Sequence, residues 1–159
     1  MRGEDFLQIA DLLLAAENSG EPHRRAAIGR AYYALFLEVR EWLSADFHIT
    51  NDSGAHRLVA DLISLAKDDE VSAFGQALSK MRVLRNSADY ELPAPKVPRP
   101  GGPRAPKYGY RSVNYLFGHA HTAQEKTKEA RLMIETLKRI DRDPSRRRDI
   151  IQSIKDARR

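Results

Sequence analysis

The stretch "PHRRAAIGRAYYALFLEVREWLS", Pro22 to Ser44, decides what kind of molecule this is. A proline in the first turn suits a helix start, because its missing N–H has no intrahelical partner there anyway. One stripe of the helix is Ile28, Tyr32, Leu35, Val39 and Trp42; a second is Ala27, Ala31 and Ala34 with Tyr33 and Leu37. A helix that is apolar over most of its circumference needs cover on most sides, so it is expected at the centre of a bundle. Arg30 lies on that crowded surface, beside Tyr33 and Ala34.

The rest of the chain repeats the helical period and lacks alternating β-branched runs, so no strand is expected. A first helix is expected from Glu4 to Ala16, with Phe6, Ile9, Leu13 and Ala16 inward, broken by "ENSGEP". A third, "AHRLVADLISLAK", places Leu58, Leu62 and Leu65 inward, and Asp68 or Asp69 can cap a fourth that ends near Asp89. Six of the eight prolines then fall in "LPAPKVPRPGGPRAPKYGYR". No regular element survives that proline density, so residues 90–111 are expected to form a long basic loop. A last long helix starts near Ser112. Val113, Ala120, Thr127 and Ile134 recur at seven, as do Leu116, Ala123, Ala130 and Leu137. Their small residues allow another helix to approach closely, either from this chain or from a second copy. Pro144 stops that helix, and "SRRRDIIQSIKDARR" reads as a short helix or a disordered arm. The expected fold is all-α. It is an antiparallel bundle of four to five helices over residues 1–140, with the Pro-rich loop before the last long helix and a basic tail over 141–159.

Charge divides the chain unevenly. Residues 1–90 carry ten Lys/Arg against fourteen Asp/Glu, residues 91–111 five against one, and residues 138–159 nine against four. A basic loop and a basic tail suggest a polyanion such as nucleic acid, with a merely solubilising tail as the plain alternative. The chain has no cysteine, which excludes disulfides and thiolate metal sites. Glu4, Asp5 and Asp11 interrupt the apolar pattern of the N-terminal stretch, so no secretory signal is expected there. No apolar run approaches the ~20 residues that span a bilayer. A cytoplasmic protein with no membrane contact is expected.

The histidines form no His-x-x-x-His pair, so no metal is expected. No Gly-x-Ser-x-Gly and no P-loop is present, and no helix-turn-helix spacing supports a duplex-DNA reader. What remains is on the fourth helix. Val71, Phe74, Leu78 and Met81 continue at three-four spacing into Arg85. A guanidinium in an apolar seam needs a partner or a wet cleft. Asp89, four residues on, can hold it, and Tyr90 lies at the helix end where the chain can turn it inward. The group is either a clamp tying this helix to the central one or a site.

"RRAAIGRAYYALF", "AHRLVADLI" and "LRNSADYEL", in that order, resemble the HEPN domain (higher eukaryotes and prokaryotes nucleotide-binding). The likeness is to the small prokaryotic branch with Arg-Ala-Tyr-Tyr-Ala-x-Phe on one helix and Arg-x-x-Ala-Asp-Tyr at the end of a later one. It covers Arg24 to Leu92. The resemblance implies a helical bundle that forms a homodimer. It also implies a metal-independent endoribonuclease of toxin–antitoxin or defence type, needing no cofactor, with a nucleotidyltransferase-type antitoxin as a partner. In such enzymes an Arg-x(4–6)-His motif supplies a phosphate-binding Arg and a proton-transferring His. Here the positions open to that His hold Tyr90, Glu91 and Leu92. Tyrosine, with a pKa near ~10, is a poor base at neutral pH. Phosphate binding by Arg85 needs only the guanidinium fork and survives the departure.

The function expected is therefore binding of RNA or a nucleotide phosphate. Arg85, Asp89 and Tyr90 are the candidate catalytic group, and Arg30, Tyr33, His56, Lys96, Arg99 and Arg104 the candidate phosphate contacts. The alternative is a non-catalytic helical module for dimerisation or protein interaction.

Overall fold

The structure, a computed structural model, describes residues 2–90 and 120–158. All regular structure among them is helical: α1 (Gly3–Ala15), α2 (Glu21–Ser44), α3 (Ala55–Ser64), α4 (Asp69–Tyr90), α5 (Ala120–Asp141) and α6 (Pro144–Ala157). They pack on one another as a helical bundle.

The central helix is α2, as its double apolar stripe requires. Ile28, Ala31, Ala34, Leu35 and Val39 are fully enclosed. Helix α1 runs antiparallel to it. The Gly3 N–H donates to Glu38 Oε1 at 2.9 Å, and Ala10 meets Ala27 and Ile28 further along. A Cβ on Gly3 would lie 2.5 Å from the Ala34 carbonyl oxygen, so the crossing needs glycine. Helix α4 is also antiparallel to α2, since Arg25 near the start of α2 donates to the Ser87 and Ala88 carbonyls at the end of α4. Those carbonyls have no partner within the helix, so Arg25 acts as its C-terminal cap. At the other end, Asp68 caps α4 by accepting the Val71 N–H at 3.2 Å. Helix α5 runs parallel to α2, from Ala123 beside Ala27 and Ile28 to Asp141, which accepts the Trp42 indole N–H at 2.8 Å.

Some details differ from the periodicity reading. In α1 the buried positions are Gly3, Leu7 and Ala10. Phe6, Ile9 and Leu13 are half-buried, and Ala16 lies exposed beyond the helix end. The close crossing at Gly3 turns that stripe toward α2. In α3 the buried residues are Ala55, Val59, Ala60, Leu62 and Ile63; Leu58 is half-buried and Leu65 is exposed past the helix end. The recurring residues of α5, Ala123, Thr127, Ala130, Ile134 and Leu137, are all buried within this chain. The partner they allow is thus internal. The tail is helix α6, with Ile150, Ile151 and Ile154 in the core. Of the loop expected at 90–111, Tyr90 is instead the last residue of α4; the remainder, 91–111, and the start near Ser112 lie outside the described residues.

Candidate functional site

Arg85 comes off α4 between fully buried Met81 and largely buried Ala88, on the margin of the seam with α2. Its side chain retains 21 % of its surface. Its Nη2 donates to the Tyr33 hydroxyl at 2.9 Å and its Nη1 to Asn86 Oδ1 at 3.1 Å. Its Nε lies 2.7 Å from Asp89 Oδ2, as a charge contact whose angle is off the line of a hydrogen bond. The carbon of the guanidinium is 5.2 Å from the centre of the Tyr33 ring and 5.7 Å from that of Tyr90, distances at which the ring face attracts a cation. A guanidinium has five N–H donors, so this arrangement fixes its orientation and leaves donors for an anion.

Helix α2 supplies the opposite wall. Gly29 faces Asp89, where a Cβ would still clear Oδ1 by 3.8 Å. Phe6 of α1 packs 6.0 Å from Tyr33, and Arg30 lies over Phe6 at 5.8 Å. Helix α3 brings His56 against the same group. Its ring is 6.0 Å from Tyr33, 5.7 Å from Tyr32 and 4.1 Å from Phe36. Its Nδ1 is 2.7 Å from the Tyr32 hydroxyl, a hydrogen bond in which donor and acceptor exchange with the histidine tautomer. Arg40 covers Phe36 from outside at 5.7 Å. The result is a continuous aromatic row, Phe6–Tyr33–His56–Phe36, with guanidinium groups laid along it.

This environment sets the titration of its members. Burial, then Arg82, Arg85 and Arg40, lowers the pKa of His56, so the ring is neutral at pH 7. Burial pushes the Tyr32 phenol up to about 12, against the pull of Arg82 and Arg85.

The sequence-predicted residues divide as follows. Arg85, Asp89, Tyr33 and His56 converge. Arg30 joins them through Phe6. Tyr90 shares the Arg85 cation but stays 73 % exposed and is not turned inward. Lys96, Arg99 and Arg104 lie outside the described residues. Reading the sequence missed Arg40, Arg82 and the role of Tyr32. Arg82 is three before Arg85 and so shares its face, a signal that spacing alone could have given. Arg30, Arg40 and Arg82 have no carboxylate partner among the described residues, and Asp89 is the acid that touches Arg85.

The basic tail behaves differently. Arg146 pairs with Asp68 and Glu70, Arg139 with Glu70, Arg147 with Asp46 and Asp141, Lys155 with Asp46, and Lys138 with Glu4. Much of the cationic charge at the C-terminal end is therefore engaged inside the molecule. A separate cleft of 530 Å³, lined by Glu38, Glu41, Trp42, Lys138, Asp141 and Arg147 among others, includes none of the Arg85 group. Among the described residues no cluster of ligating side chains could hold a metal, and no helix is long and apolar enough to cross a membrane.

Among known proteins the chain is similar to two from Methanocaldococcus jannaschii. One is the uncharacterized protein MJ0628, 33% identical over an alignment of 106 residues, with 57% of this chain and 64% of the relative covered. The other is the uncharacterized protein MJ0992, 26% identical over an alignment of 106 residues, with 56% of this chain and 60% of the relative covered. The chain thus spans under two thirds of the length of either. No family model and no solved structure matches it.

Proposed function

We propose that the chain is a HEPN-like protein that binds the phosphates of RNA on the Arg85 face. In its full form it is a cytoplasmic homodimer acting as a metal-independent endoribonuclease of toxin–antitoxin or defence type, restrained by a nucleotidyltransferase-type partner. One observation carries the reading. The Arg85 guanidinium is oriented by Tyr33, Asn86 and Asp89 yet remains partly open, beside arginines that have no carboxylate partner among the described residues. Oriented, under-neutralised guanidinium groups beside aromatic rings suit a polyanion with stacking bases. The ordered sequence motifs shared with the HEPN pattern support the same reading.

A second reading has its own support. Arg85 joins α4 to Tyr33 of α2, as a structural clamp in a non-catalytic interaction module would. The magnitudes separate the two. A partly exposed ion pair contributes about 0–1 kcal/mol to stability, little reason to hold a guanidinium in an apolar seam. A charge-assisted contact to a phosphate is worth about 1.5–3 kcal/mol in binding. The test is binding of labelled single-stranded RNA across a salt series, with and without chelator. The expected result is salt-sensitive binding by the parent that is indifferent to chelator and lost in Arg85→Ala. Binding by Arg85→Ala equal to the parent, with a stability loss of several kcal/mol instead, would favour the clamp.

A further inference from the structure

We propose that His56, delivered by α3, is the proton-transfer residue of the Arg85 site, standing in for the histidine that α4 lacks. This rests on the ribonuclease reading above. The motif position holds Tyr90, which is outward and has the wrong acidity for a base at neutral pH. His56 and Arg85 touch one ring, that of Tyr33: the imidazole centre lies 6.0 Å and the guanidinium carbon 5.2 Å from its centre. A phosphate on Arg85 would therefore hold its ribose about one aromatic ring away from the imidazole.

The ring is also set for the task. Tyr32 occupies Nδ1, and Phe36 packs against the ring at 4.1 Å with the two planes tilted by 32°, which together hold its orientation. Nε2 is left as the nitrogen to meet a substrate. With the proton on Nδ1, donated to the Tyr32 oxygen, Nε2 carries a free lone pair. It takes the proton of a ribose 2′-hydroxyl. The 2′-oxygen then forms its bond to phosphorus, and the bond from phosphorus to the 5′-oxygen breaks. That oxygen takes a proton from water, and the imidazolium returns its own proton to the resulting hydroxide. The products are a 2′,3′-cyclic phosphate and a 5′-hydroxyl, with no net change in protons or electrons.

Binding and proton transfer are coupled by charge. The groups facing His56 are Tyr32, Tyr33 and Arg40 from α2 and Arg82 and Arg85 from α4. Among the described residues the charged ones are all guanidinium groups, and burial, with their help, keeps the free ring neutral. A bound phosphate offsets them, so the ring accepts a proton more readily with substrate in place than without it.

The experiment has two arms. In the first, parent and His56→Asn are given single-stranded RNA with chelator present. The parent is expected to release 2′,3′-cyclic ends. His56→Asn is expected to bind within about twofold of the parent but to cut ~100-fold slower, the size of a lost general base. In the second, the His56 imidazole of the parent is titrated by NMR, alone and with a single-stranded DNA oligonucleotide, which has no 2′-hydroxyl to attack. Its pKa is expected to rise on binding, and to stay put with Arg85→Ala. Three results would overturn the proposal: a parent that binds RNA but does not cut it, a His56→Asn that cuts like the parent, or a His56 titration unmoved by the oligonucleotide. A parent that does not cut sinks the ribonuclease reading together with the proposal, whereas the other two results sink the proposal alone; absence of salt-sensitive binding in the parent sinks RNA binding as well.

Discussion

Two regions of this molecule invert what their sequences suggest. Residues 138–159 carry nine basic residues against four acidic ones, yet five of the nine, Lys138, Arg139, Arg146, Arg147 and Lys155, are tied to carboxylates. Residues 1–90 are acidic by count, yet Arg30, Arg40, Arg82 and Arg85 gather there around an aromatic row with Asp89 as the acid in contact. Net charge along a chain says where charges are linked, and the fold decides which of them are already spent. A docking helix uses its arginines on the protein itself, whereas a binding face keeps them for something else.

The largest expected effect lies in what holds the dock. Ile154 of α6 is fully buried, so Ile154→Ala should lower the unfolding free energy by about 2–5 kcal/mol, read from urea denaturation. A change below 1 kcal/mol would mean, by the same scale, that the ion pairs rather than the apolar face hold α6. Next comes the face. Arg85→Ala should weaken RNA binding by roughly 2 kcal/mol while moving the unfolding free energy by under about 1 kcal/mol. The reverse ranking would make Arg85 a clamp. Smaller still, Arg146→Ala should cost under about 1 kcal/mol of stability and leave RNA affinity where it was, because its partners are Asp68 and Glu70.

The finest separation is by pH. His56 has a lowered folded pKa, so its neutral form favours the fold above the unfolded value near ~6.5, and that contribution is lost as pH falls through the folded value. In the dock, burial alone would raise the Asp46 carboxyl, but hydrogen bonds from Lys155 and Arg147 outweigh it and hold it low. Arg146, with Arg139, does the same for Glu70. Those contributions are complete above the unfolded carboxylate values near ~4 and are lost only below them. Stability followed from pH 7 downward should therefore fall in two windows. His56→Asn should remove the upper one alone; a single step near the carboxylate range would contradict the assignment.

The sequence made α2 and the place of Arg85 legible because both follow from spacing along one helix. Three-four periodicity put Ile28, Leu35 and Val39 inward and left Arg85 on the seam. A cap at Asp68 or Asp69 is legible for the same local reason, and the structure uses Asp68. The rest depends on contacts between residues far apart in the chain. His56 is 24 residues from Tyr32, and Lys155 is 109 from Asp46, so neither the aromatic row nor the neutralised tail could be read from spacing. The α1 stripe was misjudged because the crossing at Gly3, which is set by α2, rotates it. The open choice for α5, an internal or external partner, needed the packed bundle to resolve it.

The central claim is that the face around Arg85, and not the basic tail, meets the polyanion. It is tested most directly by the slope of RNA affinity against salt for the parent, for Arg85→Ala and for a tail variant carrying Arg142→Ala and Arg148→Ala. The account predicts a shallower slope and lost affinity for Arg85→Ala, with the tail variant matching the parent. A tail variant that loses binding while Arg85→Ala keeps it would contradict the account.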